Sequence, residues 1–252
     1  MIEFLLKNLK GTDWEMLTDF VSPVFFEVVP TIGMAKIFGV IVKDYANPRE
    51  FDRVRETAKD TLKKINESQG TNFQLVKNLT TKQDHRELGL EERQAFGQLV
   101  LKIYFSQIFS KHKSILDLRS SAFNWPSEWA PKPVYYQWSD DFRTGLQDLY
   151  RGFYTNNDAL LTAGLSKLNL LHAKTVINGH FGEGEQDAVR FSLAHFKKSL
   201  HAVFVSCKEN KARLHPDFFA LGAYLLCLYE NLEGLDCAFD VRRAFIVTCQ
   251  YQ

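Results

Sequence analysis

The 252-residue chain has few cysteines, few prolines and no excess of charge of one sign. Its four cysteines, Cys207, Cys227, Cys237 and Cys249, form no CxxC pair and show no zinc-like spacing with histidine. The sequence therefore predicts buried, reduced thiols rather than disulfides or metal ligands. Because 31 Lys and Arg oppose 30 Asp and Glu, the charge pattern gives no support to a nucleic-acid partner.

An unbroken hydrophobic run long enough to cross a membrane is also missing. The most apolar stretch, 21–42, is interrupted by Pro23, Glu27, Pro30 and Lys36. The N-terminus has neither the apolar core nor the small-residue cleavage site of a signal peptide. We therefore expect a cytoplasmic protein, with peripheral membrane contact of the apolar stretch as an alternative.

What the chain does have is an aromatic and helical pattern. Its 21 phenylalanines, within 45% hydrophobic residues overall, predict a sizeable aromatic core. Apolar residues recur at helical spacing from Pro48 to a helix end before Gly70, and again over 91–112. Further helices are predicted over 142–154, 158–171, 185–206, 215–232 and 238–247.

The stretch 113–138 has a different character. Residues 114–118 are predicted to form a short strand leading into a loop. Residues 134–138 are rich in β-branched and aromatic side chains, which is typical of a strand. A small hairpin between two helices is the simplest arrangement for them. The predicted fold class is therefore mainly α, a helical bundle with one short β-hairpin.

The C-terminal part contains an ordered series of motifs. After an apolar helix, a Leu-Glu-Gly-Leu-Asp turn at 232–236 leads to a Phe-Asp-Val ending at 239–241. Upstream, 142–171 looks like a helix pair, and 98–109 looks like the helix that precedes a catalytic loop. In this order, 95–246 resembles the C-lobe of the UbiB/AarF/ADCK family of atypical, protein-kinase-like proteins.

This resemblance implies a domain division and a biological setting. Residues 91–252 would form a kinase-like helical C-lobe, and residues 1–90 a helical N-terminal region of unknown role. The setting would be isoprenoid-quinone or lipid metabolism at a membrane surface.

Active members of the family have a catalytic loop that reads roughly His-x-Asp-Pro-His-Pro-Gly-Asn, followed by a strand and Asp-Phe-Gly. Asp117 stands where the catalytic aspartate is expected, but the histidines, prolines and glycine of the loop are missing. Asn124 is displaced from the metal-binding position. Gln-Trp-Ser at 137–139 replaces Asp-Phe-Gly, and Asp140 and Asp141, which follow it, are explained more simply as a helix N-terminus.

No nucleotide-binding lysine motif is recognisable in the N-terminal part either, so the features that stabilise a phosphoryl-transfer transition state are largely absent. We therefore predict a non-catalytic, pseudokinase-like protein without a cofactor, which acts by binding a protein partner or a hydrophobic small molecule. One alternative is a divergent phosphotransferase or ATPase that uses Asp117 with ATP, and Asn124 or Asp140 and Asp141 with magnesium. A second alternative is an unrelated helical scaffold.

An aromatic cluster supplies the candidate ligand pocket. Its members are Trp125, Trp129, Tyr135, Tyr136 and Trp138. They would line a site for a quinone or lipid precursor, or they would form an aromatic core where the hairpin meets the helices. The glycine-rich stretch 178–185 matches no dinucleotide or Walker motif and is expected to be a flexible loop, and His195 and His201 lack metal-site spacing.

Overall fold

The computed structural model describes residues 15, 23–29, 48–180 and 188–249, and there the chain is mainly helical, as predicted. The helices are α1 (Pro23–Val28), α2 (Pro48–Gln69), α3 (Leu90–Phe109), α4 (Asp140–Tyr154), α5 (Asp158–Lys167), α6 (Lys174–His180), α7 (Leu193–Glu209), α8 (Phe218–Gly234) and α9 (Val241–Cys249). The strands are β1 (Gln74–Leu75), β2 (Ser114–Ile115), β3 (Phe123–Asn124), β4 (Glu128–Trp129), β5 (Tyr135–Tyr136), β6 (Val189–Arg190) and β7 (Ala238–Phe239). Most of the apolar stretch 21–42 lies outside the described residues.

Helix α2 forms where the apolar spacing predicts it. Its whole apolar stripe is buried: Phe51, Val54, Ala58, Leu62 and Ile65. The helix ends before Gly70, whose φ of +65° is a left-handed conformation that glycine adopts without strain. The stripe packs α2 against α3 and β2, so local periodicity determines both the helix and its buried face.

Helix α3 is the central helix of the fold. Its residues from 103 to 108 are buried on every side, and the helix packs against α2, α4, α8 and α9. A helix that is apolar all round must be surrounded by other elements. The tertiary structure thus collects the N-terminal helices and the C-terminal helices around one element, and one cluster of buried apolar side chains extends from Phe25 to Phe245.

The predicted hairpin is present between α3 and α4. Strands β2 and β5 pair antiparallel, with Ser114 opposite Tyr136 and Ile115 opposite Tyr135. The connecting segment adds an antiparallel β3–β4 pair, and β1 runs parallel to β4. A further pair, β6 with β7, lies in a region for which the sequence predicted only helices and loops. Two-residue strands are too short to produce a recognisable alternation of side chains.

Helices α4 and α5 form a closely packed antiparallel pair. A Cβ on Gly152 would lie 2.2 Å from the Leu161 backbone nitrogen, and one on Gly164 would lie 2.4 Å from the Leu149 backbone nitrogen. Only glycine allows the two backbones to approach this closely. The pair was expected from the sequence, although α5 ends at Lys167 rather than near residue 171.

The four cysteines form no disulfide, as predicted. Three of the thiols are buried and that of Cys249 is half-buried. Within the described ranges, no helix combines the length and the apolar character needed to cross a membrane.

Candidate functional site

Asp117 lies in the loop after β2, and its side chain is completely buried. Arg119 donates to both of its carboxylate oxygens, from Nε to Oδ1 at 2.7 Å and from Nη2 to Oδ2 at 3.0 Å. The backbone N–H of Lys132 donates to Oδ2 at 2.8 Å. The carboxylate is therefore fully hydrogen-bonded inside the protein, in the bidentate geometry typical of structural arginine–carboxylate pairs.

The other candidate kinase residues lie in separate surroundings. Asn124, in β3, donates from Nδ2 to Glu128 Oε2 at 3.1 Å. Asp140 and Asp141 are exposed in the first turn of α4, where Asp140 accepts a hydrogen bond from Arg143 at 2.6 Å. In the part of the chain that the structure describes, no hydrogen bond or ion pair joins these residues to one another. Asp140 and Asp141 lie at the helix N-terminus, where negative charge interacts favourably with the helix dipole.

Four of the five aromatic residues of the candidate pocket are buried, and Trp125 is half-buried. Trp129 stacks on Phe123 with ring centroids 5.6 Å apart, and Tyr135 stacks on Phe51 at 5.8 Å. These rings fill the core around the two hairpins.

Polar atoms of this aromatic group are used internally, and Trp129 Nε1 donates to the Asp117 carbonyl at 3.1 Å. The hydroxyl of Tyr136 donates to Asp217 Oδ1 at 2.9 Å, and Trp138 Nε1 donates to Ser114 Oγ at 2.8 Å. None of the five is among the described residues that line the cavity identified below. Their arrangement is that of the aromatic core, the second of the two roles considered for them.

A different part of the molecule contains an apolar cavity. It has a volume of about 170 Å³, is partly open, and lies between α3, α4, α6, α7, α8, α9 and the segments that connect them. Most of its lining is aliphatic or aromatic, with Leu101, Leu149, Phe153, Leu200 and Leu225 as representatives. A concave apolar surface with a few polar groups is the usual form of a small-molecule site.

The polar groups of this cavity are mainly tyrosine hydroxyls. Those of Tyr104 and Tyr150 lie 2.6 Å apart, and that of Tyr229 lies 2.8 Å from His180 Nε2. A fourth tyrosine, Tyr154, also lines the cavity and is 8% exposed. Its hydroxyl makes no hydrogen bond with any residue that the structure describes.

These groups are uncharged at neutral pH. Burial raises the pKa of Tyr150 to about 12 and raises the pKa values of Tyr104, Tyr154 and Tyr229 above their usual range. Burial also lowers the pKa of His180 to about 4. The phenols therefore keep their protons, and the imidazole stays neutral.

Sequence reasoning did not identify this cavity. Its lining comes from six helices, strand β6 and connecting segments, and the helical contributions have the spacing of ordinary core stripes. The signal that could have indicated it is the number of tyrosines on apolar helix faces, because a buried tyrosine hydroxyl usually needs a partner. Tyr104, Tyr150, Tyr154 and Tyr229 all occupy such positions.

Across the described segments, no group of three or more His, Cys, Asp and Glu side chains is arranged to hold a metal ion. His195 stacks on His180 with ring centroids 5.4 Å apart. Asn178, Gly179 and His180 end α6 rather than belonging to a loop, and the rest of the predicted flexible stretch lies outside the described residues. Comparison with known proteins finds no matching family model and no matching curated protein.

Proposed function

We propose that the protein is a non-catalytic relative of the UbiB/AarF kinase-like proteins and that it binds a hydrophobic ligand in the cavity between its helices. The observation that carries this proposal is the cavity itself, which is almost entirely apolar and contains a small set of neutral polar groups. The resemblance of the sequence suggests that such a ligand belongs to isoprenoid-quinone or lipid metabolism.

The order of elements supports the proposed relationship. A central helix, α3, is followed by β2, the loop with Asp117, β5 and the α4–α5 pair, which is the order expected from the resemblance. An unrelated helical scaffold would have no reason to place a hairpin between α3 and α4.

The surroundings of Asp117 support the non-catalytic part of the proposal. A catalytic aspartate in phosphoryl transfer must reach the acceptor hydroxyl. In this structure its oxygens instead accept hydrogen bonds from Arg119 and from the Lys132 backbone. The alternative, an ATP-dependent phosphotransferase, would require this buried ion pair to open.

The proposal can be tested by thermal denaturation of the full chain with ethylbenzene, a small hydrocarbon probe. At ten times its dissociation constant, a ligand adds about 1.4 kcal/mol to the stability, which raises the midpoint by roughly 3–5 °C for a chain of this size. Parallel samples contain ATP or ADP, with and without magnesium. We expect stabilisation by ethylbenzene and none by nucleotide.

A pair of matched variants localises the binding. Val203 is half-buried and lines the cavity, so Val203→Phe should fill part of the space and abolish stabilisation by ethylbenzene. Val76 is also half-buried but does not line the cavity, so Val76→Phe should leave ethylbenzene binding intact. Equal responses of the two variants, or no stabilisation of the wild type, would contradict the proposal. A magnesium-dependent stabilisation by nucleotide would favour the phosphotransferase.

A further inference from the structure

Of the four tyrosine hydroxyls at the cavity, one has no hydrogen-bond partner among the described residues. Tyr154, the last residue of α4, is 8% exposed and lines the cavity, and its hydroxyl makes no hydrogen bond with any described residue. A bound molecule that accepts a hydrogen bond would give this hydroxyl a partner.

The rings around Tyr154 hold it in place. It packs edge-to-face against Phe105 with centroids 5.8 Å apart, and it stacks on Phe245 at 4.7 Å. Tyr150 lies one helical turn earlier and stacks at 6.3 Å. These ring contacts restrict the orientation of the phenol, so its hydroxyl is a preorganised donor.

The electrostatic surroundings exclude a charged ligand group. Among the described lining residues, Arg242 is the single formally charged side chain, and it is exposed. The tyrosines and His180 around the cavity are neutral, as described above. A carboxylate deep in this space would lose its hydration, and Arg242, the one charged group among the described lining residues, is exposed to solvent rather than buried beside it, so burial of the anion is unfavourable.

The volume limits the size of the ligand. A cavity of about 170 Å³ is close to the roughly 150 Å³ of an engineered apolar cavity that binds benzene. A single ring with a small substituent therefore suits the space. A long chain would have to extend beyond it.

We propose that the cavity binds a compact, uncharged molecule with one ring or a ring-sized apolar body, and that a carbonyl or ether oxygen of this molecule accepts a hydrogen bond from Tyr154. This inference rests on the proposed function, since it names the ligand chemistry of the same cavity. The hydrogen bond from Tyr154 would make the cavity selective for ligands with a neutral acceptor, which an apolar cavity alone would not be.

The test compares three probes of nearly equal size by isothermal titration calorimetry. Ethylbenzene tests the apolar space, acetophenone adds a neutral acceptor on the same skeleton, and benzoate replaces the acceptor with an anion. We expect ethylbenzene and acetophenone to bind the wild-type chain and benzoate to bind at least tenfold more weakly than acetophenone.

The decisive variant is Tyr154→Phe, which removes only the unpaired hydroxyl. It should weaken acetophenone binding by roughly threefold to tenfold, the usual worth of one neutral hydrogen bond, and leave ethylbenzene binding unchanged. The unliganded variant should be as stable as the wild type or more stable, because no internal hydrogen bond is lost. The matched control is Tyr136→Phe, which removes a buried hydroxyl outside the cavity and should not change either affinity.

The outcomes separate this inference from the proposed function. If ethylbenzene binds but Tyr154→Phe weakens acetophenone no more than ethylbenzene, the hydrogen bond is refuted while the apolar site stands. Benzoate binding as tight as acetophenone binding would refute the restriction to uncharged ligands. Failure of all three probes to bind the wild type would overturn both the inference and the proposed function.

Discussion

Glu230 accepts two hydrogen bonds from Ser120, with the backbone N–H 2.9 Å from Oε2 and the hydroxyl 2.9 Å from Oε1. The next residue, Asn231, donates from Nδ2 to the Leu118 carbonyl at 2.8 Å. The preceding residue, Tyr229, lines the cavity. Three consecutive residues of α8 thus connect the loop after β2 with the cavity, so the ordering of this loop depends on α8.

The first prediction concerns this connection. Glu230→Ala should lower the free energy of unfolding by about 1.5–3 kcal/mol, because two hydrogen bonds to a carboxylate are lost and the Ser120 N–H is left without that acceptor. Urea denaturation gives the value. Glu209→Ala, at an exposed position of α7, is the control and should change stability by less than about 0.5 kcal/mol. Equal effects of the two substitutions would show that the Glu230 contacts contribute nothing.

The buried ion pair gives a second prediction. Asp117→Ala should destabilise the chain by about 3–5 kcal/mol, because Arg119 would remain buried without its counter-charge. The double variant Asp117→Ala/Arg119→Ala should cost less than the sum of the two single variants. Urea denaturation of all three tests this expectation. An Asp117→Ala variant as stable as the exposed control Asp141→Ala would argue that Asp117 is kept for chemistry rather than for structure.

The contact between α4 and α5 gives a third prediction. Gly152→Ala should destabilise the chain by more than about 2 kcal/mol, although alanine is the better helix former, because the added methyl group would collide with the Leu161 backbone. Gly222 in α8 has no atom within 4 Å of the position of an added Cβ. Gly222→Ala should therefore stabilise the chain by about 0.5–1 kcal/mol. Thermal or urea denaturation measures both, and a stabilising Gly152→Ala would refute the close packing.

A fourth prediction concerns pH. Burial lowers the pKa of His180 to about 4 in the folded chain, whereas an unfolded histidine titrates near 6.5. Between these values the unfolded state binds a proton that the folded state resists, so stability is highest above about pH 6.5 and falls as the pH drops towards about 4. The contribution of His180 to the slope of the free energy of unfolding against pH approaches about 1.4 kcal/mol per pH unit.

A comparison of two histidine variants isolates the contribution of His180 to the pH dependence of stability. His180→Gln should flatten the decline in stability between pH 6.5 and 4, measured by urea denaturation at several pH values. His201→Gln, at an exposed position of α7, should leave the decline as in the wild type. An unchanged slope in His180→Gln would contradict the assigned burial of this imidazole, which lies against His195 and Tyr229.

Most of the helices and the first hairpin were accessible to sequence reasoning because their signals are local, but the short helix α6 was not predicted. The stripe from Phe51 to Ile65 predicts both α2 and its buried face, and β-branched and aromatic residues predict β5. The β6–β7 pair was missed since each strand has only two residues and its partner lies about 50 positions away. No local sequence pattern indicates such a pairing.

The candidate site shows the same contrast between local sequence signals and contacts between distant segments. Sequence reasoning placed Asp117 within a strand over 114–118, whereas the strand ends at Ile115 and Asp117 follows it. It also could not tell that Arg119 and the Lys132 backbone surround the Asp117 carboxylate. It left two roles open for the aromatic cluster near the hairpin, a ligand pocket or an aromatic core, and it did not indicate the cavity, whose lining residues are up to about 140 positions apart.

The sequence by itself determined where most of the helices and the predicted hairpin form, because side-chain periodicity acts over a few residues. It also determined that the core is aromatic and that the cysteines are unpaired. The tertiary structure alone decided which helix faces leave space between them and which tyrosine hydroxyl of the cavity, that of Tyr154, has no internal partner. Cavities and unsatisfied groups arise from the mutual packing of distant segments, and their geometry exists only once the chain is folded.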